Sequence, residues 1–551
     1  MPTIIIDRKE FEKKLGLKLS EDKLKEKIAL FGTDLDKMDK DEIHVEVFPN
    51  RPDMLSIDGF IRSFRQFLEL DSGLKKYNVK KSNYKLIVDK SVKKVRPYTA
   101  CAVVKNLNFT DSKIKEIIQL QEKLHVSWGR NRKKVAIGIY PLEKINFPIT
   151  YLAKKKEQIK FQPLESKKEM SAKDMLKNHS KCKEFAHLLK DLNEYPLFVD
   201  SKNKILSMPP LINSQDIGCV EIGTTDIFIE CSGFDFDICS KTLNLVLTTL
   251  SDMGGQIYEM EITDNKKIIS PNFKPQEMKL DLNYVNKITG LNLKESEVKK
   301  LLEFMGHDVK KDKVLIPPYR TDILHQIDLV EDIIKKYGTD NFESKIPNIA
   351  TIGQESKFEL FKRKVAKILI GLQLIETKTF DIVNSKSQNE NSLNNYDIIL
   401  LKNNLTEEFD ALRYWLSPCL LEVYQKNQDK EYPQNIFGIE KVYHKNNKII
   451  ETNIEEFEKL AISICDTQIS FTQIKQIFDY LILQLNIKNA KIEKSNHKSF
   501  LNGRCGKIII NNEEIGIIGE IEPKVLINFK LEMPVAICEI NLNKVYNLFK
   551  E

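Results

Sequence analysis

Residues 317–338 read PPYRTDILHQIDLVEDIIKKYG, and this stretch places an acidic helix directly after a strand. The two prolines end the strand, because proline cannot donate to a sheet ladder. In the helix that follows, Asp328, Glu331 and Asp332 stand at positions i, i+3 and i+4 and share one face. Asp322 comes six positions before Asp328, in or just before the first turn, and can fold over the same face.

This carboxylate cluster has two interpretations. Four carboxylates cannot crowd together without a counter-charge, and hard oxygen ligands of this kind suit Mg²⁺ or Ca²⁺. Alternatively, acidic residues in the first turns and the cations Lys335 and Lys336 in the last turn complement the helix dipole. Each such charge contributes about 0.3–1 kcal/mol. Taken alone, the residues favour the second interpretation, a solvated helix face.

The chain around this stretch divides into four α+β segments, in agreement with about three to five domains for 551 residues. Residues 1–90 predict a compact α+β domain. Residues 91–268 alternate strands and helices and predict a mixed sheet. Residues 269–347 predict two helices on a small sheet, a winged-helix-like module. Residues 348–551 predict a large antiparallel sheet with flanking helices.

The composition is typical of a globular protein and excludes intrinsic disorder, with 41% hydrophobic and 30% charged residues. A net charge of +7 is compatible with a nucleic-acid partner without indicating one. The nine cysteines form no CxxC pair, which predicts reduced thiols in the cytoplasm. No apolar run approaches the roughly 18 residues of a membrane span, and the first residues lack a signal-peptide pattern.

Three further polar stretches combine side chains that suit a site. Asn213–Asp216 (NSQD) and Glu230–Gly233 (ECSG) place hydroxyl, amide and acidic groups at strand ends, where they either line a pocket or form ordinary turns. Trp128–Lys134 (WGRNRKK) sets four cations beside an indole, which suits either an RNA backbone or a solvated turn. In each case the residues alone favour the turn. HExxH, GxSxG, Walker and GxGxxG patterns are all missing, so the sequence offers no self-evident catalytic centre.

Five stretches in this order resemble the beta subunits of phenylalanyl-tRNA synthetase in their shorter archaeal–eukaryotic form. The resemblance covers essentially the whole chain, and its strength lies in the shared order. The length also fits the form without a C-terminal anticodon-binding extension. The stretches are VFPNRPDMLSIDGFIRSFRQFL (47–68), PPLINSQDIG (209–218) with TDIFIECSG (225–233), residues 317–338, LRYWLSPCLLEVYQKNQ (412–428) and GRCGKIIINNEEIGIIGEIEPKVL (503–526).

The resemblance implies a division of labour between two kinds of subunit. The alpha subunit would bind ATP and phenylalanine and charge tRNA(Phe), in an assembly of two alpha and two beta subunits. Residues 348–551 would then be a catalytically inactive copy of the class II synthetase domain that contacts alpha. The sequence agrees, because residues 355–551 lack the glycine-rich strand ending in an ATP-binding arginine. Leu412–Trp415 (LRYW) also departs from the Phe-Arg-x-Glu pattern of active domains.

The second segment resembles the editing domain of the family, which hydrolyses tyrosine wrongly attached to tRNA(Phe). Editing is needed because an apolar pocket rejects an added hydroxyl only weakly. An editing pocket can instead read the hydroxyl with a hydrogen-bond acceptor and leave phenylalanine without a partner. The candidate residues are Glu230 and Ser232, with Asn213 and Ser214 opposite them. Hydrolysis would then rest on a positioned water.

The resemblance also changes the interpretation of the acidic helix. The family binds Mg²⁺ in the small module through acidic residues near the alpha interface, and the spacing of Asp322, Asp328, Glu331 and Asp332 is similar. We therefore expect these residues to hold a structural Mg²⁺, distinct from the ion that accompanies ATP in alpha.

Two competing hypotheses remain. A stand-alone tRNA-binding or trans-editing protein would hydrolyse Tyr-tRNA without a partner. A metal-dependent hydrolase centred on Asp322 and Asp328 would need an open coordination position, and no histidine pair supports it.

Overall fold

The structure, a computed structural model, describes residues 2–264, 266–349, 351–449 and 451–550. It divides into two units, residues 1–346 and residues 347–551. Several separate sheets, each with its own helices, make the chain a mixed α/β multidomain protein, as the sequence predicts. None of the helices among the described residues has the length and apolarity needed to cross a bilayer.

The first segment of unit 1 packs helices on a small antiparallel sheet. Its elements are β1 (Thr3–Asp7), α1 (Arg8–Leu15), α2 (Glu21–Leu30), β2 (Asp34–Met38), β3 (Glu42–Glu46) and α3 (Ile57–Phe67). The sheet has the order β1-β3-β2. Because side chains alternate along a strand, Ile43 and Val45 of β3 are buried while their neighbours face outward. The ring of Phe31 lies 5.9 Å from that of Phe60, so the apolar stripe of α3 completes this core.

The second segment contains two large sheets that pack face to face. Its elements are β4 (Val79–Lys80), β5 (Lys85–Val88), β6 (Tyr98–Lys105), α4 (Asp111–Val126), β7 (Val135–Pro141), β8 (Ile149–Lys155), β9 (Lys160–Phe161), β10 (Met170–Ser171), α5 (Ala172–Asn178), α6 (Ser180–Phe185), β11 (Glu194–Val199), β12 (Ile205–Met208), β13 (Ile212–Asn213), α7 (Gln215–Gly218), β14 (Ile227–Gly233), α8 (Phe236–Asp252), β15 (Gln256–Tyr258), β16 (Met260–Asp264) and β17 (Lys266–Ser270). One sheet has the order β4-β15-β6-β14-β7 and the other β13-β12-β11-β8-β5-β16-β17, while β9 pairs with β10. Strands β4 and β5, which precede residue 91, pair within these sheets.

Strand β14 lies at the centre of this segment, between β6 and β7 and antiparallel to both. All seven of its residues are buried. One face, with Ile227, Ile229 and Cys231, joins the core that includes α8. The opposite face, with Phe228, belongs to the core shared with the second sheet. Since side chains alternate, Glu230 points between the two sheets.

The small module packs helices on a three-stranded antiparallel sheet of its own. Its elements are β18 (Gln276–Lys279), α9 (Leu282–Thr289), α10 (Glu295–Glu303), β19 (Asp308–Lys310), β20 (Lys313–Ile316) and α11 (Gln326–Tyr337). The strand order is β18-β20-β19. The module has one helix more than the two expected, because α9 forms a short helix that ends at Gly290 in the left-handed region, with φ 72°.

Unit 2 is built on a seven-stranded sheet with helices. Its elements are α12 (Lys357–Gly371), β21 (Ile375–Glu376), β22 (Ile382–Val383), α13 (Ser385–Gln388), β23 (Ile399–Leu400), β24 (Ala411–Leu412), α14 (Ser417–Lys426), β25 (Gln434–Lys445), β26 (Ile454–Cys465), α15 (Phe471–Gln484), β27 (Ala490–Lys494), β28 (Phe500–Ile510), β29 (Glu513–Ile521), α16 (Pro523–Asn528), β30 (Val535–Asn541) and α17 (Leu542–Lys550). The order is β21-β25-β26-β30-β29-β28-β27, antiparallel except where β21 meets β25. Asn511 and Asn512 form the hairpin turn between β28 and β29, both with positive φ.

Candidate functional site

A cavity of about 500 Å³ opens in the second segment of unit 1. Helix α4, strands β7 and β14, and the chain between residues 207 and 220 supply its walls. The lining combines many apolar side chains with a few polar ones, as ligand pockets do. The polar lining side chains central to the site are His125, Arg132, Ser207, Asn213 and Glu230.

Glu230 is the most unusual side chain in this wall. It is 2% exposed, on the inward face of β14. Its Oε1 accepts a hydrogen bond from the phenol of Tyr140 at 3.1 Å. Its Oε2 is buried and has no hydrogen-bond partner among the described residues. Burial raises the pKa of Glu230 to about 8. Because buried polar atoms are nearly always paired, an unpaired oxygen in a cavity wall points to a ligand.

Tyr140 connects Glu230 to the opposite wall of the cavity. Its hydroxyl lies 2.7 Å from Ser207 Oγ and 3.4 Å from Asn213 Oδ1. Gly138 leaves room for this contact, since a Cβ there would lie 2.1 Å from the Tyr140 hydroxyl and 2.5 Å from Glu230 Oε1. The structure therefore places Glu230 and Asn213 within reach of the same Tyr140 hydroxyl, together with Ser207. Tyr140 and Ser207 are not among the residues predicted from the sequence. The sequence signal for Tyr140 is its position at the end of the apolar strand VAIGIY, two residues after a glycine.

The other two predicted editing residues do not line the cavity. Ser232 accepts a hydrogen bond from Arg96 Nε at 3.3 Å, and its backbone carbonyl accepts from Arg96 Nη2 at 2.6 Å. Ser214 is buried beside Asn213, and its Oγ has no partner among the described residues. The ECSG stretch is thus the carboxyl-terminal end of a buried central strand.

The Trp128–Lys134 stretch is divided between the interior and the surface. Arg132 is buried and donates from Nη2 to both carboxylate oxygens of Glu122, at 2.8 and 3.1 Å. Its Nη1 donates to the carbonyl of Leu211 at 3.0 Å, which ties α4 to the far wall of the cavity. The Trp128 indole donates to Thr242 at 2.9 Å. Arg130 is exposed, so only part of the stretch is a solvated turn.

His125 also lines the cavity but is committed to the fold. Its Nε2 accepts the backbone N–H of Ile137 at 2.9 Å, so the ring proton sits on Nδ1. Burial lowers the pKa of His125, which keeps the ring neutral. His125 Nδ1 and Arg132 Nε are likewise buried without a hydrogen-bond partner among the described residues. Both groups are anchored by the bonds above, however, and Glu230 is the acidic side chain of this wall with an unpaired oxygen.

The carboxylates of the acidic helix do not share one site. Arg320 donates from Nε and Nη2 to the two oxygens of Asp322, at 2.9 and 2.7 Å. Its Nη2 also donates to Asp332 Oδ2 at 2.8 Å, and the same oxygen bonds His307 Nε2 at 2.8 Å. Although burial opposes it, the charge of Arg320 holds the pKa of Asp332 below its usual range. Arg320 is thus the counter-charge for two of the four carboxylates.

The remaining two carboxylates are engaged separately. Asp328 Oδ2 accepts the backbone N–H groups of Leu324 and His325, both at 2.8 Å, and so caps α11. Glu331 pairs with Lys335 at 2.7 Å on the surface. Within the described ranges, no group of three or more His, Cys, Asp or Glu side chains is arranged to hold a metal ion. The residues expected to bind Mg²⁺ therefore do not fit one shared ion in this structure. Arg320 supplies the positive charge that Mg²⁺ was expected to supply.

Two family models match the chain, the phenylalanyl tRNA synthetase beta chain CLM domain over residues 342–542 and the tRNA synthetase B5 domain over residues 278–339. The phenylalanine–tRNA ligase beta subunit of Pyrococcus abyssi is 36% identical over 559 aligned residues, which span 99% of this chain and 100% of the relative. The chain belongs to the phenylalanine–tRNA ligase beta-subunit family.

Another member of the beta-subunit family also matches this chain over nearly its whole length. The protein of Methanosarcina barkeri is 34% identical and matches 98% of this chain and 99% of its own length. A solved N-terminal fragment of the phenylalanyl-tRNA synthetase beta subunit from Pyrococcus horikoshii aligns with a TM-score of 0.58 and 35% identity. It covers 61% of this chain and 99% of the fragment, which supports the mixed α/β, multidomain fold.

Proposed function

We propose that this chain is the beta subunit of a phenylalanine–tRNA ligase that works with an alpha subunit, in an assembly of two copies of each. The alpha subunit binds ATP and phenylalanine and charges tRNA(Phe). Full-length similarity to named beta subunits supports this role. The missing ATP-binding pattern in residues 355–551 supports an inactive, partner-binding role for that domain. The Mg²⁺ that accompanies ATP is assigned to alpha and is distinct from the ion expected in the small module.

The proposed domains follow from the folds and the family matches. Residues 91–268, together with the short strands β4 and β5 before them, form the editing domain. Residues 269–347 form the small module, most of which matches the B5 model. Residues 348–551 form the class II-like domain, most of which matches the CLM model.

The cavity is proposed to hydrolyse tyrosine from mischarged tRNA(Phe), and the unpaired oxygen of Glu230 is the observation on which this rests. The hydroxyl of a tyrosyl group entering the cavity would pair with that oxygen. A phenylalanyl group would leave the oxygen buried and unpaired, which costs about 1–3 kcal/mol. Asn213 borders the same space and is proposed to position the ester or the attacking water, while Ser214 and Ser232 support the wall.

The test is deacylation of Tyr-tRNA(Phe) and Phe-tRNA(Phe) by the complex with alpha. Glu230→Ala should slow Tyr-tRNA(Phe) hydrolysis about tenfold or more and leave phenylalanine charging nearly intact. Glu143→Ala, an exposed glutamate of the same segment, is the matched control and should change neither activity. Unchanged Tyr-tRNA(Phe) hydrolysis in Glu230→Ala would move the editing site elsewhere.

A further inference from the structure

The surroundings of Glu230 do not balance a negative charge. Arg96 acts on Glu230 through its charge, but it donates to the backbone and side chain of Ser232, and no hydrogen bond from Arg96 to Glu230 is found among the described residues. The Ser232 hydroxyl also lowers the pKa of Glu230, but less than burial raises it. The other titratable groups that influence it come from β6, β7, β8, β14 and α8, and all are neutral near pH 7 because burial raises the pKa of each. These groups are Cys101, Tyr140, Tyr151, Cys231 and Cys239. A carboxylate in such a place is costly, and the group avoids the cost by keeping its proton.

Tyr140 determines which oxygen of Glu230 keeps that proton. Its hydroxyl has a single hydrogen but lies within 3.4 Å of acceptor oxygens on Ser207, Asn213 and Glu230. A serine hydroxyl can donate or accept, so Ser207 can donate to Tyr140 while Tyr140 donates to Glu230 Oε1. In that arrangement Oε1 is the carbonyl oxygen of a neutral carboxyl. Its proton lies on Oε2, the buried atom without a partner.

We propose that Glu230 reads the hydroxyl of the bound amino acid as a neutral acid, donating the Oε2 proton to the phenol oxygen, with Tyr140 as the positioning residue that fixes its orientation. The inference rests on the proposed editing function and deepens it, since it assigns a donor where the sequence predicts an acceptor. No covalent bond is made or broken in this recognition step. Gly138 is part of the same arrangement, because any larger side chain there would overlap both the Tyr140 phenol and Glu230 Oε1.

A neutral acid rejects phenylalanine for the same reason that it accepts tyrosine. The Oε2–H donor is buried, so a ligand without a hydroxyl leaves it unpaired. An unpaired buried donor of this kind corresponds to a discrimination of about ten- to a hundredfold. A neutral acid also leaves no charge to solvate when the cavity is closed by the ligand.

The first experiment compares Glu230→Gln with Glu230→Ala in the complex with alpha. The measured quantity is the ratio of initial deacylation rates for Tyr-tRNA(Phe) and Phe-tRNA(Phe). The carboxamide is an uncharged isostere whose N–H₂ can replace the Oε2–H donor, so Glu230→Gln should keep the ratio within about threefold of wild type. Glu230→Ala should lower it about tenfold or more.

The outcomes separate the inference from the function on which it rests. If the Tyr:Phe ratio of Glu230→Gln falls as far as that of Glu230→Ala while the wild type still edits, an ionised carboxylate is required. The inference is then overturned, and the proposed editing function stands. If the wild-type complex hydrolyses no Tyr-tRNA(Phe), the proposed function fails and the inference fails with it.

The pH dependence gives an independent readout of the same group. The neutral form of Glu230 is present below a pKa of about 8 and is lost as the pH rises through that value. The Tyr:Phe ratio of the wild type should therefore fall above pH 8, while that of Glu230→Gln should stay flat. Taking the ratio cancels the alkaline lability of the ester. A wild-type ratio that rises above pH 8 would contradict the neutral acid.

Tyr140→Phe tests the positioning role. The phenol hydrogen bond lowers the pKa of Glu230, so its removal should move the fall in the ratio to higher pH and reduce the ratio itself about tenfold. Tyr424→Phe is the matched control, because Tyr424 is also buried, at 1% exposure, and donates to the carbonyl of Gln434 at 3.1 Å in unit 2. It should leave both the ratio and its pH profile unchanged.

A wild-type ratio and profile in Tyr140→Phe would exclude Tyr140 as a positioning residue. If Tyr140→Phe does not fold, Ser207→Ala replaces it. That variant removes the hydrogen-bond partner of the phenol and should lower the ratio in the same direction.

Discussion

Arg320 joins three polar side chains in the interior of the small module. It is 5% exposed, forms a two-bond pair with Asp322 and contacts Asp332 and His307 as well. Removing a buried cation is more costly than losing an exposed pair, because the carboxylate that stays behind is left without compensation.

Arg320→Gln should therefore lower the free energy of unfolding of unit 1 by about 3–5 kcal/mol. Denaturant unfolding of the purified chain measures this. The control is Lys313→Gln in the same module, whose pair with Glu277 is exposed on both sides and should cost under about 1 kcal/mol. Equal effects of the two substitutions would mean that Arg320 is not the counter-charge.

The same pair of carboxylates predicts how the protein responds to Mg²⁺. Wild-type protein should have the same melting temperature in Mg²⁺ and in EDTA, since Asp322 and Asp332 are already compensated. In Arg320→Gln the two carboxylates lose their cation, and Mg²⁺ should raise the melting temperature of that variant only. A wild-type melting temperature that rises with Mg²⁺, and no longer does so in Asp328→Ala, would restore the metal site that the sequence predicts.

At the scale of elements, β14 shows why sequence patterns locate a site only roughly. The run IFIECSG has no polar–apolar alternation, because the strand is buried on both faces. Its pattern cannot say which face carries Glu230. Tyr140 comes from a neighbouring strand 90 residues earlier in the chain, and only the pairing of β14 with β7 brings the two together. The helix α11, by contrast, is local and forms where the sequence predicts it, although its acidic residues are divided between the interior, with Asp332, and the surface, with Glu331.

The expectation of a metal site rests on local spacing in the same way. The spacing of Asp328, Glu331 and Asp332 on one helix is readable from the sequence, whereas the direction taken by the side chain of Arg320 is not. Arg320 lies in the quoted stretch itself, but it reaches Asp332 only because the loop before α11 folds back over the helix.

Gly138 provides a test at the scale of this strand pair. Gly138→Ala should displace Tyr140 and Glu230, because the added Cβ would lie 2.1 Å from the phenol oxygen. Tyr-tRNA(Phe) hydrolysis should fall about tenfold or more, with phenylalanine charging retained. Gly371→Ala is the control, since nothing lies within 4 Å of the added carbon there. Editing at the wild-type rate in Gly138→Ala would show that the geometry around Glu230 is not needed.

At the scale of the whole molecule, the order of segments was predictable because each has its own sheet and its own hydrophobic pattern. The two units meet in sequence at residues 346 and 347, next to the boundary expected after residue 347. The start of the second segment was less predictable, because β4 and β5 are short and their partner strands come more than 60 residues later in the chain. The match to named beta subunits over nearly the whole chain implies an alpha partner for the molecule as a whole.

The most direct test of the account is phenylalanine-dependent ATP–pyrophosphate exchange by the purified chain, by its alpha subunit, and by the two mixed. We predict no exchange by this chain alone and full exchange in the mixture, which should elute as one stable complex. Exchange catalysed by this chain without alpha, or a mixture that neither associates nor gains activity, would contradict its role as a beta subunit.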